Sequence, residues 1–307
     1  MSAQSYSVAI VGGTGLLGAQ ASRAFLSDFK SSFHTVRVLT RDPSSTEALD
    51  LASKGAQLYQ LDESNLPRSL DGAFKGVDVI VNALSGGTPA EVKEAVLAAA
   101  ARSEVKVYFL AEYGLDHRIN DHDGFEHPVI IKKQKFATET RKLLQGRKVI
   151  ALYVGLFLEF VLTPYMGVDL ARNTYICVGS PGEKFTLTAA ADIGRSIARL
   201  AILSLDQQTA ARVPDDVRIT GQAASYEEIR DTVARVKGVP PAEVTTKDLN
   251  QFKDDIIQEP DKDFFGHLKL VIAEGKGDFS SDNANSLVNP GESFWKWKTV
   301  EEHVRGL

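Results

Sequence analysis

Val8-Ala9-Ile10-Val11-Gly12-Gly13-Thr14-Gly15-Leu16-Leu17-Gly18 decides the reading of this chain. An apolar run ends in glycines at positions 12, 15 and 18, and a helix-compatible run, Ala19 to Leu26, follows at once. The pattern predicts a strand, a tight turn and a helix. Gly12 suits the unusual backbone angles of the turn. Gly15 leaves no side chain between the backbone and a pyrophosphate, and Gly18 lets helix and strand pack closely. The helix start then offers free N–H groups and a partial positive charge to phosphate. Gly12, Thr14, Gly15, Leu16, Leu17 and Gly18 are therefore the candidate phosphate-binding residues of a dinucleotide site.

Working outward, Thr35 to Thr40 is rich in β-branched residues and reads as the second strand. It ends in Arg41-Asp42-Pro43, where such a fold meets the adenosine ribose. An acid there accepts from the 2′-hydroxyl of NAD, whereas a guanidinium pairs with a 2′-phosphate. Arg41 thus points to NADPH, and Asp42 is the ribose partner in the competing reading. Ala56 to Leu61 is the third strand, followed by Asp62. Val77 to Leu84 is nearly all apolar, as a parallel strand buried on both faces should be. It leads into Ser85-Gly86-Gly87. Asp62, Ala83, Leu84 and Ser85 join the cofactor candidates because ligands sit at the carboxyl ends of such strands. A helix runs from Pro89 to about Arg102. Val105 to Leu110 is the fifth strand, and Glu112-Tyr113-Gly114 lies just past its end. Strands alternating with helices predict an α/β fold, a doubly wound parallel sheet of Rossmann type. Right-handed crossovers bring the loops after Val11, Thr40, Leu84 and Leu110 to one edge.

Residues 115–128 break the alternation. They are polar and hold three of the six histidines, His117, His122 and His127. Their spacing matches no zinc or calcium pattern, so no metal is expected. A mobile loop over the site is the reading this stretch favours. Lys132 to Gly146 reads as a helix with Phe136, Thr140, Leu143 and Leu144 on one face and Lys132, Lys133 and Lys135 in its first turn. A strand, Val149 to Val154, precedes the apolar run Gly155 to Pro164. With Phe157 and Phe160, that run suits an apolar or aromatic substrate pocket, or ordinary core. Beyond it, short strands are expected at Tyr175–Val178 and Val217–Thr220, and a helix from Ala190 to Leu203. Ser225 and Glu228 have capping-box spacing before another helix. A charged helical stretch spans 248–265, and an edge strand with a closing helix is expected at 295–302.

The 307 residues carry a net charge of −5 with no Lys/Arg-rich run, which excludes a nucleic-acid backbone as the expected partner. Cys177 is the one cysteine, so no intramolecular disulfide is available. No apolar run reaches membrane-spanning length and no leader precedes Val8, so a cytoplasmic protein without membrane contact is expected.

The glycine turn, Val38-Leu39-Thr40-Arg41-Asp42, Val77-Asp78-Val79-Ile80, Glu112-Tyr113-Gly114 and Ala191-Asp192-Ile193-Gly194 stand in one order along the chain. In that order they resemble the NmrA-like, isoflavone reductase-like family of atypical short-chain dehydrogenases. Trp297-Lys298-Thr299-Val300-Glu301-Glu302 is similar to its fungal members. The resemblance implies an NADPH-binding domain over residues 1–154 and a smaller α/β substrate domain over 155–307, some of whose segments return to the first sheet. It also implies a reductase of aromatic or polyketide-type small molecules; the sequence leaves monomer and homodimer both open. A lysine shortly after a segment like Pro128-Val129-Ile130 serves the chemistry in that family. Lys133 fits the offset best, and Lys135 second.

The residues themselves support an unusual mechanism. Ordinary short-chain dehydrogenases use Tyr-x-x-x-Lys, and no tyrosine here has that lysine: Tyr113 is followed by His117 and Tyr153 by Phe157. A lysine in a dry pocket could donate the proton instead, or Tyr113 could supply a hydroxyl. Tyr113, Phe157 and Phe160 are the substrate-side candidates. Two other readings stay open. One is a non-catalytic dinucleotide sensor with a protein partner, which the family also contains. The other is an isomerase or cyclase on the same fold.

Overall fold

The structure is a computed structural model that describes residues 5–260 and 264–307. In chain order, β1 (Tyr6–Val11), α1 (Leu16–Leu26), β2 (Phe33–Thr40), α2 (Thr46–Ser53), β3 (Gln57–Gln60), α3 (Leu66–Phe74), β4 (Val79–Asn82), α4 (Ala90–Arg102), β5 (Val107–Phe109), α5 (Pro128–Leu143) and β6 (Lys148–Tyr153) alternate strictly. Then come β7 (Leu156–Phe157), α6 (Leu158–Val161), β8 (Val168–Asp169), β9 (Thr174–Val178), β10 (Phe185–Thr188), α7 (Ala190–Leu205), β11 (Asp216–Arg218), β12 (Gln222–Ala224), α8 (Tyr226–Lys237), β13 (Val244–Lys247), α9 (Leu249–Gln258), α10 (Phe264–Ala273), α11 (Asn285–Val288) and α12 (Val300–Arg305).

The main sheet has seven strands in the order β11-β6-β5-β4-β1-β2-β3, and their pairings are parallel. Its order reverses beside β1, which opens the ligand crevice at the glycine turn. Both faces are covered. Val8, Ile10, Val38, Val81 and Phe109 meet Ala21, Phe25, Ile193 and Ile197 on one side. Ala9, Val11, Leu39, Ile80 and Tyr108 meet Leu70, Phe74 and Val96 on the other. This double burial is why the strands read as continuous apolar runs.

The chain beyond residue 154 is divided. α7 packs on α1, and a Cβ on Gly194 would stand 2.7 Å from the Gln20 backbone. β11 adds the outermost strand beside β6. The rest forms two three-stranded sheets, β12-β10-β7 and β13-β9-β8, around Leu156, Phe185, Leu187, Tyr226 and Ile229. Of the chain beyond residue 154, β11 thus lies in the seven-stranded sheet and α7 in the helix layer over it.

Four expectations need correction. α5 starts at Pro128, a turn before Lys132. His127 accepts from the Val129 amide through Nδ1 and Pro128 takes the first helical position, so the lysines stand in the second turn. Residues 115–127 are no flap: Asp116, His117, Asn120, His122 and His127 are buried. Trp295 and Trp297 form no strand. They pack edge to face, and the capping box of Thr299 and Glu302 starts α12. The charged stretch 248–265 divides between α9 and α10, and residues 261–263 lie outside the described residues. The Ser225–Glu228 capping box forms as read. No helix among the described residues is long and apolar enough to cross a membrane.

Candidate active site

The glycine turn builds a concave cradle. Gly12 has φ +72°, and a Cβ there would lie 2.9 Å from the Ala83 carbonyl oxygen, so the turn sits directly on the end of β4. A Cβ on Gly18 would lie 2.1 Å from the Gly12 carbonyl oxygen, a distance no side chain tolerates. Gly15 differs: its Cβ would meet only the Gly12 oxygen, at 3.3 Å. Gly18 is therefore demanded by packing. Gly15 keeps open the space in front of α1. Gly15 is also the N-cap of α1 and supplies no side-chain cap, so the first amides of the helix are left to another acceptor. Leu16 is 64% exposed at this start, and Leu17 turns into the core.

Thr14 and Thr40 share a hydrogen bond of 2.9 Å between their hydroxyls, tying the turn to the end of β2. Arg41 follows, exposed, with no hydrogen bond or ion pair among the described residues. Asp42 instead accepts from Ser44. Asp62 likewise closes its own turn on Ser64, beyond Leu61, whose amide donates to the Thr40 carbonyl. Ala83 and Leu84 follow β4. Ser85 lies within 3.3 Å of Thr88, hydroxyl to hydroxyl.

Lys133 is the lysine turned inward. It donates to Glu112 Oε2 at 2.9 Å, and Glu112 is buried at the end of β5. Burial pushes the Glu112 carboxyl up. The His117 imidazole, 3.5 Å away, and the Lys133 ammonium outweigh it and hold the carboxyl below its ordinary value. Lys135 lies on the solvent side, 3.9 Å from Glu139. Tyr113 packs against the sheet core with its hydroxyl buried and, among the described residues, without a hydrogen-bond partner, and burial holds that phenol well above its usual range.

Lys93 was not legible in the sequence. It projects from the first turn of α4 and donates to the Gly86 carbonyl at 2.8 Å. Burial and the nearby Lys133 ammonium lower its proton affinity, so both lysines face the same space. Its only sequence signal is its place one turn into the helix that follows the β4 loop. Glu112 was likewise visible only as an acid just past a buried strand. Among the substrate-side candidates, Phe157 packs beside the first core. Phe160 stacks with Tyr165 and Phe265, its ring centroid 5.1 Å from that of Phe265. Elsewhere, buried His267 meets His122 edge to face at 5.2 Å and His127 at a tilt, 4.4 Å between ring centroids. Among the described residues no group of three or more metal-ligating side chains is arranged to hold an ion.

With this geometry in hand, comparison with known proteins is informative. The family model described as "NmrA-like family" matches residues 4–304. No curated protein sequence matches the chain. Among solved structures, AtPrR2 with NADP+ and (+)pinoresinol superposes with a TM-score of 0.78 at 21% identity, over 98% of each chain. The leucoanthocyanidin reductase–NADPH complex from Vitis vinifera gives 0.76 at 17%, covering 97% of this chain and 98% of that one. NmrA, a negative transcriptional regulator, gives 0.72 at 16%, covering 99% and 96%. At these identities the likeness is one of fold.

Proposed function

The chain belongs to the NmrA-like family, and on that premise we propose that it is an NADPH-dependent reductase acting on a carbonyl or enone of an aromatic or polyketide-type small molecule. One observation carries the reading: a lysine held on a buried carboxylate, Lys133 on Glu112, beside an orphaned phenol at the ligand edge of the sheet. A pure sensor has no need of such a pair.

The residues fit a dinucleotide. The cradle at Gly12, Gly15 and Gly18 and the uncapped start of α1 suit a pyrophosphate. The free guanidinium of Arg41 suits a 2′-phosphate. Thr14 pinned on Thr40 keeps the turn and the ribose end in register. Ala83, Leu84 and Ser85, just past the end of β4, would lie under the bound dinucleotide. Bound there, the nicotinamide supplies the hydride. Glu112 fixes the Lys133 ammonium in place, so Lys133 can hydrogen-bond the substrate oxygen and give it a proton. Tyr113 offers a second donor. Phe160, with Tyr165 and Phe265, offers aromatic faces to an aromatic ring.

Calorimetry with NADPH, NADP+, NADH and NAD+ is the first test. NADPH bound ahead of the rest, followed by NADPH consumption with an aromatic ketone or enone that is lost in Lys133→Met, supports the reductase. Tighter binding of the oxidised forms, with no consumption across the panel, favours a sensor.

A further inference from the structure

Glu112 is the first link of a longer buried chain that the chemistry above does not use. Its Oε2, which accepts from Lys133, also lies 3.5 Å from His117 Nδ1. The other ring nitrogen of His117, Nε2, lies 3.2 Å from the Tyr153 hydroxyl. Tyr153 donates to Asp216 Oδ1 at 2.8 Å. Glu112, His117 and Tyr153 are all buried, whereas the Asp216 side chain is 20% exposed. Five groups able to exchange a proton therefore line up from the site lysine to the surface beyond β6 and β11, with one gap, His117 Nδ1 standing 3.5 Å from Glu112 without a hydrogen bond among the described residues.

The surroundings keep the chain in place. The His117 and Tyr153 rings meet edge to face at 5.3 Å. Asp216 also accepts from Arg141 at 2.9 Å and lies 3.9 Å from Arg118. Buried Asp116 takes up Arg118 and Arg218. Register puts Tyr153 and Asp216 on adjacent parallel strands, so the last link is built into the sheet.

We infer that Glu112, His117, Tyr153 and Asp216 form a relay that returns a proton to Lys133 from solvent while substrate and cofactor close its open side. The inference rests on the reductase reading. When Lys133 has protonated its substrate, His117 passes Nδ1–H to Glu112, and Glu112 passes a proton to the neutral amine. The Tyr153 hydroxyl proton moves to His117 Nε2, and Asp216 hands Tyr153 a proton taken from water. One proton enters for each that leaves, and no group is oxidised or reduced. The arrangement in which Tyr153 donates to Asp216 is the state after such a transfer. The chain resets as the imidazole proton moves from Nε2 to Nδ1 and the hydroxyl swings back to His117. His117, Tyr153 and Asp216 act through Lys133 and are positioning residues.

Two readouts test this. The first needs no substrate: nitrogen NMR of the His117 ring in the wild type, Lys133→Met and Tyr153→Phe. Lys133→Met frees Glu112 for His117 alone, and the Nδ1 resonance should move as that nitrogen becomes the carboxylate's nearest donor. Tyr153→Phe should shift the Nε2 resonance. A ring indifferent to both changes overturns the relay, even with NADPH consumption intact. The second uses NADPH and a reducible enone from the panel. Tyr153→Phe and His117→Ala should lower kcat about tenfold or more with KM unchanged, in line with loss of a proton-transfer group. Added imidazole should restore His117→Ala and leave the wild type unchanged. Full kcat in Tyr153→Phe overturns the proposal. Linked NMR shifts with no consumption of NADPH by any panel member overturn the reductase reading while the chain itself stands.

Discussion

The Lys133 ammonium and Glu112 Oε2 meet at 2.9 Å although 21 positions separate them in the sequence. The pair joins the second turn of α5 to the end of β5. Glu112→Gln keeps the shape and removes the charge. The ammonium then loses the partner that fixes it, so kcat should fall about tenfold or more. An unchanged kcat for NADPH consumption would show that Glu112 does not support Lys133.

Two glycines of one turn should respond differently to the same substitution. Gly18→Ala forces a methyl to 2.1 Å from the Gly12 oxygen. It should destabilise the fold by about 2–4 kcal/mol and abolish dinucleotide binding. Gly15→Ala meets only a 3.3 Å contact. It should cost less than about 1 kcal/mol in urea denaturation. Its NADPH affinity should still drop at least about tenfold, equivalent to about 1.4 kcal/mol. Equal stability losses in the two variants would remove the distinction between packing and ligand space.

Arg41→Ala should reduce the preference for NADPH over NADH about tenfold or more, since a charge-assisted pair is worth about 1.5–3 kcal/mol. Affinity for NADH should hardly change. Calorimetry on both cofactors checks the two halves separately.

Acid should weaken the protein in two steps. Burial, with the charges of His127 and His122, pushes His267 down to about 3. The unfolded chain takes up that proton near the ordinary histidine value of about 6.5. The stability due to neutral His267 is therefore whole above that value and is lost as pH falls from there toward 3. Glu274 is half-buried, which raises its carboxyl, but hydrogen bonds from Lys276, His122 and Lys253 outweigh this and hold it at about 2. Its contribution is whole above the ordinary glutamate value of about 4.3 and is lost between there and 2. Urea midpoints from pH 7 to pH 3 should flatten in the upper window for His267→Gln and in the lower window for Glu274→Gln.

The sequence carried the sheet well, for a physical reason. Strands buried on both faces are apolar throughout, and Val8–Val11 or Val79–Val81 read as strands in any context. The small sheets were harder. β7, β8 and β12 have two or three residues, and β7 and β12 find their partner β10 about thirty or more positions away. No periodicity survives in so few residues. The start of α5 was missed because its cap is a histidine, a residue type that does not announce a helix start. The 115–127 loop looked solvated because its polar residues find their partners inside. Asn120 brackets the His127 backbone, and His122 meets Glu274, 152 positions away. The glycine cradle was legible because its requirement is steric and local. Glu112 and Lys93 were not, because charge pairing across the fold leaves no spacing to find.

The grip of α7 on α1 has a consequence for any attempt to cut the molecule. Gly194 lets the two helices touch backbone to backbone, and Arg195 reaches Asp28 just past the end of α1. β11 covers what would otherwise be the bare side of β6. A fragment ending at residue 154 would lose both, leaving an apolar helix face and an open strand edge in water. The glycine turn is thus no portable module. It is held from behind by residues translated long after it, so the first half of the chain can settle into its final form only once the second half has been made.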